Sequence, residues 1–448
     1  ANVGADSIVV ASGAISSSLF AGKGDDLISI SGGVTADSIY GGSGNDSFNF
    51  TGGAVTTDSL VDTGAGKDSV LFGDDNNLVT INGALTSTTL TGGTGDDSLY
   101  IGSAMSIGSI EAKAGNDLIN FASLSALVNA TTIKGGAGAD SISLYGGAND
   151  LVLNIFSGDS LFGGSGADTL TFTGSVTNSH ISAGAGADSI VMAGTNQGGN
   201  TIDLGVGADK VLFTKATNAD TITVASAATT GNKTITYQEA VSSAVITTGA
   251  GDDSITFEKA LKEANSITTN TGDDSLRFLN DADGVTADLG AGDDSIYAAQ
   301  LLQSQSNISA GAGADTFLIS TLSNAVIYGG SGVDAVNISG GIYGSTIDFG
   351  EGNEAFTLTV GMSGSTILGG VGNDTFVVNS SAAMTASQLD GGAGNDNISL
   401  AQTLSGSSVL GGTGNDTITL SNRVEVGAYV AGDAGSDLMV FSSTVSAS

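Results

Sequence analysis

Gly391-Gly392-Ala393-Gly394-Asn395-Asp396 is followed twenty residues on by Gly411-Gly412-Thr413-Gly414-Asn415-Asp416. Working outward in both directions, a turn of this kind recurs along the whole chain. Aligned on its last residue, the copies fall at Asp6, Asp26, Asp46, Asp68, Asp97, Asp117, Asp140, Asp168, Asp188 and Asp209, then at Lys233 in a degenerate copy. They resume at Asp253, Asp274, Asp294, Asp315, Asp334, Glu354, Asp374, Asp396, Asp416 and Asp437. The 21 anchors are on average about 21.6 residues apart. Two positions before the anchor every copy has Gly, which calls for positive φ or a close backbone approach. Two and four positions after it every copy is apolar (Ile8, Ile28, Phe48, Val70 and onward), the alternation of a strand with one buried face. A second apolar column lies seven before the anchor, as at Leu19, Ile39, Leu90 and Ile110, with Ser226 and Ala287 its weak copies.

Each repeat therefore reads as strand, loose turn, strand, tight Gly-rich turn. A unit so small cannot bury its apolar face alone, so neighbours must stack. The expectation is an all-β fold: a single elongated parallel β-solenoid of the β-roll or β-helix kind, about 21 coils with two short strands per coil. Strand spacing near 4.8 Å makes that stack on the order of 100 Å long. The chain has 448 residues and no Pro, which suits an uninterrupted hydrogen-bonded ladder. Residues 1–448 are read as one continuous solenoid, with a degenerate stretch at 210–277 and longer coils at 68–97 and 140–168. The long coils carry inserts of eight or nine residues, Gly73 to Ile81 and Gly146 to Leu153, each expected to add a strand or a lateral bulge.

Charge narrows the function. There are 46 acidic residues against 11 basic ones, net −35, the wrong sign for a nucleic-acid surface. No apolar run reaches the length of a membrane-spanning helix, so membrane insertion is not expected. Stacked at about 4.8 Å, neighbouring anchor carboxylates would repel by about 3 kcal/mol per pair at an effective dielectric of about 20. Over the whole column this exceeds the stability of an ordinary domain. A hard cation bound by carboxylates and turn carbonyls would neutralise it, and Ca²⁺ is the natural choice. The alternative is that each Asp caps its own turn and the column is screened by solvent.

The turns at 41–46, 92–97, 391–396 and 411–416 resemble the repeats-in-toxin (RTX, haemolysin-type) nonapeptide, Gly-Gly-x-Gly-x-Asp-x-apolar-x. The full Gly-x-Gly-x-Asp core occurs at 15 of the 21 anchors. The resemblance implies calcium held by turn carbonyls and Asp carboxylates of adjacent coils, folding on meeting calcium outside the cell, and export by a type 1 secretion system. The family's β-roll has two nonapeptides per coil. Here only one edge carries the Gly-rich turn and the other is Ser/Thr/Ala-rich, so the expectation is several Ca²⁺ in a single row along one edge. The candidate metal ligands are the 20 acidic anchors from Asp6 to Asp437, Glu354 binding less well than the Asp residues. Lys233 is read as an ammonium where a metal would otherwise sit.

Catalysis is not expected. The single His180 reads as a surface residue of a strand, no His-Glu-x-x-His is present, and Arg277 and Arg423 are isolated from any carboxylate groove. Basic residues gather at Lys210, Lys215, Lys233, Lys259, Lys262 and Arg277, read as an irregular decorated surface or as a lateral contact with an acidic neighbour. The outward row Ser29, Asn49, Leu71, Tyr100, Asn120, Ser143, Thr171 is no regular Thr rank, which argues against ice binding. The sequence thus suggests a secreted, extracellular or cell-surface structural protein that self-assembles into a filament, surface layer or matrix fibre. Both ends read as uncapped coils, and the tail of one copy would continue at near coil spacing into the start of the next. Other copies of itself, head to tail and laterally, are therefore the expected partners. The alternative is a rigid spacer in a large calcium-dependent adhesin.

Overall fold

The computed structural model describes residues 3–445 except 54, 56–58, 83–84, 103–104, 125–127, 147–153, 158–159, 195, 224–230 and 380–381. The chain divides into two compact units, Ala1–Ala225 and Ser226–Ser448, the boundary falling within the degenerate stretch. Each is a parallel β-solenoid, and among the described residues there is no helix.

In the first unit, strand Leu27–Ile30 pairs in parallel with Ser47–Phe50, setting Ile28 beside Phe48 and Ile30 beside Phe50. All four side chains are buried. Ser18–Lys23 pairs with Ser38–Ser43 in the facing sheet, with Leu19 beside Ile39. In the second unit, Thr375–Val378, Asn397–Leu400 and Thr417–Leu420 stack in register, so that Phe376, Ile398 and Ile418 form one buried file. Rings extend the same principle: Tyr237, Phe257 and Phe278 stack with centroids 5.1 and 5.7 Å apart. Apolar side chains in register bury one another from coil to coil, which explains why a core so poor in aromatics closes. Ala287 is buried although small; Ser226 lies outside the described residues.

Beyond the two strands expected per coil, the loose turn holds a short strand of its own. Met362–Ser363, Met384–Thr385 and Leu404–Ser405 pair in parallel, with Met362, Met384 and Leu404 buried. The Gly column has a steric cause: Gly414 has φ +140°, and a Cβ there would fall on the carbonyl oxygen of Gly394 in the preceding coil.

The coil from Asp68 to Asp97 changes the expected geometry. Strand Ser69–Leu71, which follows the Asp68 turn, pairs with Ser47–Phe50 on one side and with Thr89–Thr91 on the other. Thr89–Thr91 is the strand that leads into the Asp97 turn. The insert supplies Leu78–Asn82, which pairs with Ser59–Asp62 and with Ser98–Ile101. This segment is therefore a coil and a half, and the half is a nonapeptide with its own turn, Gly73 to Asn77. Up to Asp68 the Gly-rich turn joins the sheet of Ser59–Asp62 to the sheet of Ser69–Leu71; from Asp97 it crosses in the opposite sense. The single-edged column is corrected here: Asp6, Asp26, Asp46 and Asp68 line one edge of the first unit, and Asp97 to Asp209 line the other. The insert of the second long coil falls almost wholly at 147–153, outside the described residues.

Candidate metal site

The anchors are buried ladder groups. In the first unit Asp26 Oδ1 accepts the Asp6 N–H at 2.7 Å, Asp46 Oδ1 the Asp26 N–H at 2.9 Å, and Asp68 Oδ1 the Asp46 N–H at 2.9 Å. On the opposite edge the same bond runs from Asn77 to Asp97 and on through Asp117, Asp140, Asp168, Asp188 and Asp209, at 2.7–2.9 Å. The second unit repeats it from Lys233 through Asp253, Asp274, Asp294, Asp315 and Asp334. It runs likewise from Glu354 through Asp374, Asp396 and Asp416 to Asp437. Each of these Asp carboxylates thus satisfies the turn N–H of the coil before it, and Asp97 Oδ2 also accepts the Gly93 N–H of its own turn at 3.1 Å.

That bond uses one oxygen. Oδ2 of Asp26, Asp46, Asp117, Asp140, Asp168, Asp294, Asp315, Asp334, Asp396 and Asp416 is buried with no hydrogen-bond partner. An unsatisfied buried anion is expensive. The Gly five before the anchor makes the space: a Cβ on Gly391 would lie 2.5 Å from Asp396 Oδ2 and 2.5 Å from the Gly411 carbonyl oxygen, and Gly411 is placed alike against Asp416 and Gly432. A carboxylate oxygen and a carbonyl oxygen of the next coil therefore border one gap.

Burial raises the carboxyl pKa values against their ordinary range. Asp168 and Asp294 are pushed up to about 7, first by burial and then by the carboxylates above and below. Burial likewise lifts Asp117, Asp274, Asp315 and Asp396 to about 6. Glu354, buried beside Asp374, reaches about 9. Lys233 is fully buried, and its charge partly offsets the burial of Asp253.

Two further ladders were not anticipated. Just outside the anchor, Asn and Asp side chains bond in the reverse direction: Asn373 Oδ1 accepts the Asn395 N–H at 2.7 Å, Asn395 Oδ1 the Asn415 N–H at 2.7 Å, and Asp273 Oδ1 the Asp293 N–H at 2.8 Å. The recurrent Asn or Asp before the anchor was the available signal. On the opposite edge of the second unit, hydroxyls take the structural part of the carboxylates. Ser345, Ser365, Ser387 and Ser407 Oγ each accept an N–H of the preceding coil at 3.1–3.2 Å. That edge is closed without charge.

A family model described as the RTX calcium-binding nonapeptide repeat matches residues 16–48, 29–56, 83–100, 129–155, 157–173 and 386–401. Over these segments the chain carries RTX repeats. Of the solved structures, an X-ray structure of a hyperactive, Ca²⁺-dependent, β-helical antifreeze protein from an Antarctic bacterium aligns with this RTX chain at 19% identity and TM-score 0.41. The alignment covers 69% of this chain and 80% of that one. No curated protein matches.

The RTX turns fit the cation their family implies. Among the described residues no three His, Asp or Glu side chains converge on one point, so backbone carbonyls must complete any shell. All-oxygen donors with few carboxylates suit Ca²⁺ and not a thiolate- or imidazole-bound metal.

Proposed function

We propose that the protein is a secreted, extracellular structural solenoid whose anchor carboxylates from Asp6 to Asp437 hold Ca²⁺ between coils, so that calcium turns a self-repelling column into a stiff stack. The observation that carries this reading is the file of buried Asp Oδ2 atoms without partners, facing carbonyl oxygens of the next coil. Calcium supplies the charge that offsets their burial. The chain's own part is to present the oxygens: the Gly column lets the coils approach, and the Oδ1 ladder fixes each carboxylate.

An extracellular setting suits this reading, because carboxylate–carbonyl calcium sites of extracellular modules fill at the millimolar concentrations found outside cells. A structural part rather than a catalytic one agrees with His180, which sits on an outer sheet face with its ring edge against Phe162, centroids 5.7 Å apart. Within the structural class we favour association of copies into a filament or layer. The test is far-ultraviolet circular dichroism and electron microscopy with millimolar calcium and with chelator. Calcium-dependent β signal with fibres or sheets supports the proposal. Calcium-dependent β signal with dispersed particles points to a spacer segment, and β signal indifferent to chelator overturns the calcium reading.

A further inference from the structure

At the edge change the column contains one neutral member. Asn77 takes the anchor place of the inserted half-coil and is buried. Its Oδ1 accepts the Val55 N–H at 3.0 Å, the same bond that Oδ1 makes at the Asp anchors of the ladder, and this fixes which end of the amide is nitrogen. The Nδ2 then donates to the Asp75 carbonyl at 2.7 Å, to the Gly73 carbonyl at 3.3 Å and to Asp97 Oδ1 at 2.8 Å. Two turn carbonyls and a carboxylate of the next coil thus converge on an N–H donor. These are the oxygen types that border the gap beside the Asp residues, where no donor is present.

We infer that the Asn77 amide nitrogen substitutes for a calcium ion and closes the second row of sites at the point where the rows change edge. This rests on the calcium reading above. The first unit then holds two rows on opposite edges, Asp6 to Asp68 and Asp97 to Asp209, separated by a joint that is held by hydrogen bonds and needs no metal. The amide suits the joint because Asp75 stands two before it in place of the usual Gly, and Asp75 Oδ2 is already bound to the Gly53 N–H at 2.9 Å. The substitution removes one carboxylate and one divalent cation together, and the remaining Asp97 carboxylate is held by the amide N–H.

The experiment is the variant Asn77→Asp in the full chain, compared with wild type for bound calcium, counted by equilibrium dialysis and atomic emission, and for thermal midpoint against calcium concentration. The expected result is one more calcium per chain. The N77D midpoint should also lie below wild type in calcium-free buffer and rise more steeply as calcium is added. N77D folded by circular dichroism but binding the wild-type number of ions overturns the inference, as does N77D that stays unfolded at millimolar calcium. Wild type that binds no calcium overturns the underlying reading instead, so the two failures are told apart.

Discussion

Asp274 holds the backbone N–H of Asp253, one coil back, at 2.7 Å, and its own N–H is held by Asp294 at 2.7 Å. An Asp carboxylate in this ladder therefore has two separable tasks. Its Oδ1 closes a turn that would otherwise leave a buried donor unpaired, and its charge requires a cation. Substitutions at one position can part the two.

Asp294 is the position to choose, lying between Asp274 and Asp315 with Oδ2 buried and unpartnered. Asp294→Ala removes the acceptor for the Asp274 N–H and should cost about 1–3 kcal/mol with or without calcium. Asp294→Asn keeps an acceptor and removes the charge. Its thermal midpoint should rise above wild type in chelator and fall below it in millimolar calcium. An Asn variant whose midpoint differs from wild type by the same amount in both conditions would show that the carboxylate serves only as a cap.

Acidity should stabilise the calcium-free protein. The folded pKa values near 6 for Asp117 and Asp274 and near 7 for Asp168 and Asp294 lie above the ordinary value of 3.8. The folded state therefore binds more protons than the unfolded chain. This contribution is fully present below about pH 4 and is lost as pH rises through about 7. In calcium-free buffer the thermal midpoint should fall between pH 5 and pH 8. With saturating calcium the trend should reverse, because protons then compete with the ion. Melts at the two pH values, with and without calcium, check the crossing.

Two glycines with left-handed φ should respond differently to a methyl group. Gly364 (φ +61°) has nothing within 4 Å of an added Cβ, whereas at Gly414 the Cβ meets the Gly394 carbonyl. Gly364→Ala should cost about 1 kcal/mol from backbone strain alone. Gly414→Ala should cost upwards of about 3 kcal/mol and expose the neighbouring turn. Amide hydrogen exchange separates them: protection should be lost around 394–416 in the second variant only.

The repeat column made the fold readable, because a register fixed by Gly, Asp and two apolar positions leaves little freedom in how coils stack. The anchors were found for the same reason. What the count concealed was topology. A 29-residue interval reads equally well as one swollen coil or as a coil and a half. The distinction depends on which strand Ser69–Leu71 faces, a long-range pairing that local spacing does not encode. Asn77 was hidden likewise. Its neighbourhood, Asp74-Asp75-Asn76-Asn77, lacks the Gly two before the anchor and so does not share the column's signature. The direction of the ladders, each Asp serving the coil before it, also has no signature within a single repeat.

The coil-and-a-half reading makes a prediction about a deletion. Removing 73–81 takes nine residues from the Asp68-to-Asp97 interval and returns it to the common spacing of twenty. Ser69–Leu71 would then lead through the loose turn to Thr89–Thr91 in the facing sheet, and all the turns of the first unit would come to one edge. The chain lacks Cys, so spin labels can be placed singly at Ser43→Cys and Thr94→Cys, both on exposed turn positions. In wild type these turns lie on opposite edges, separated by a strand and its flanking turns, about 20 Å at strand rise. In the deletion they stand two coils apart on one edge, about 10 Å. Electron paramagnetic resonance should therefore show strong dipolar broadening only in the deletion. A swollen-coil geometry predicts the reverse: the labels would be close in wild type and little changed by removing the insert.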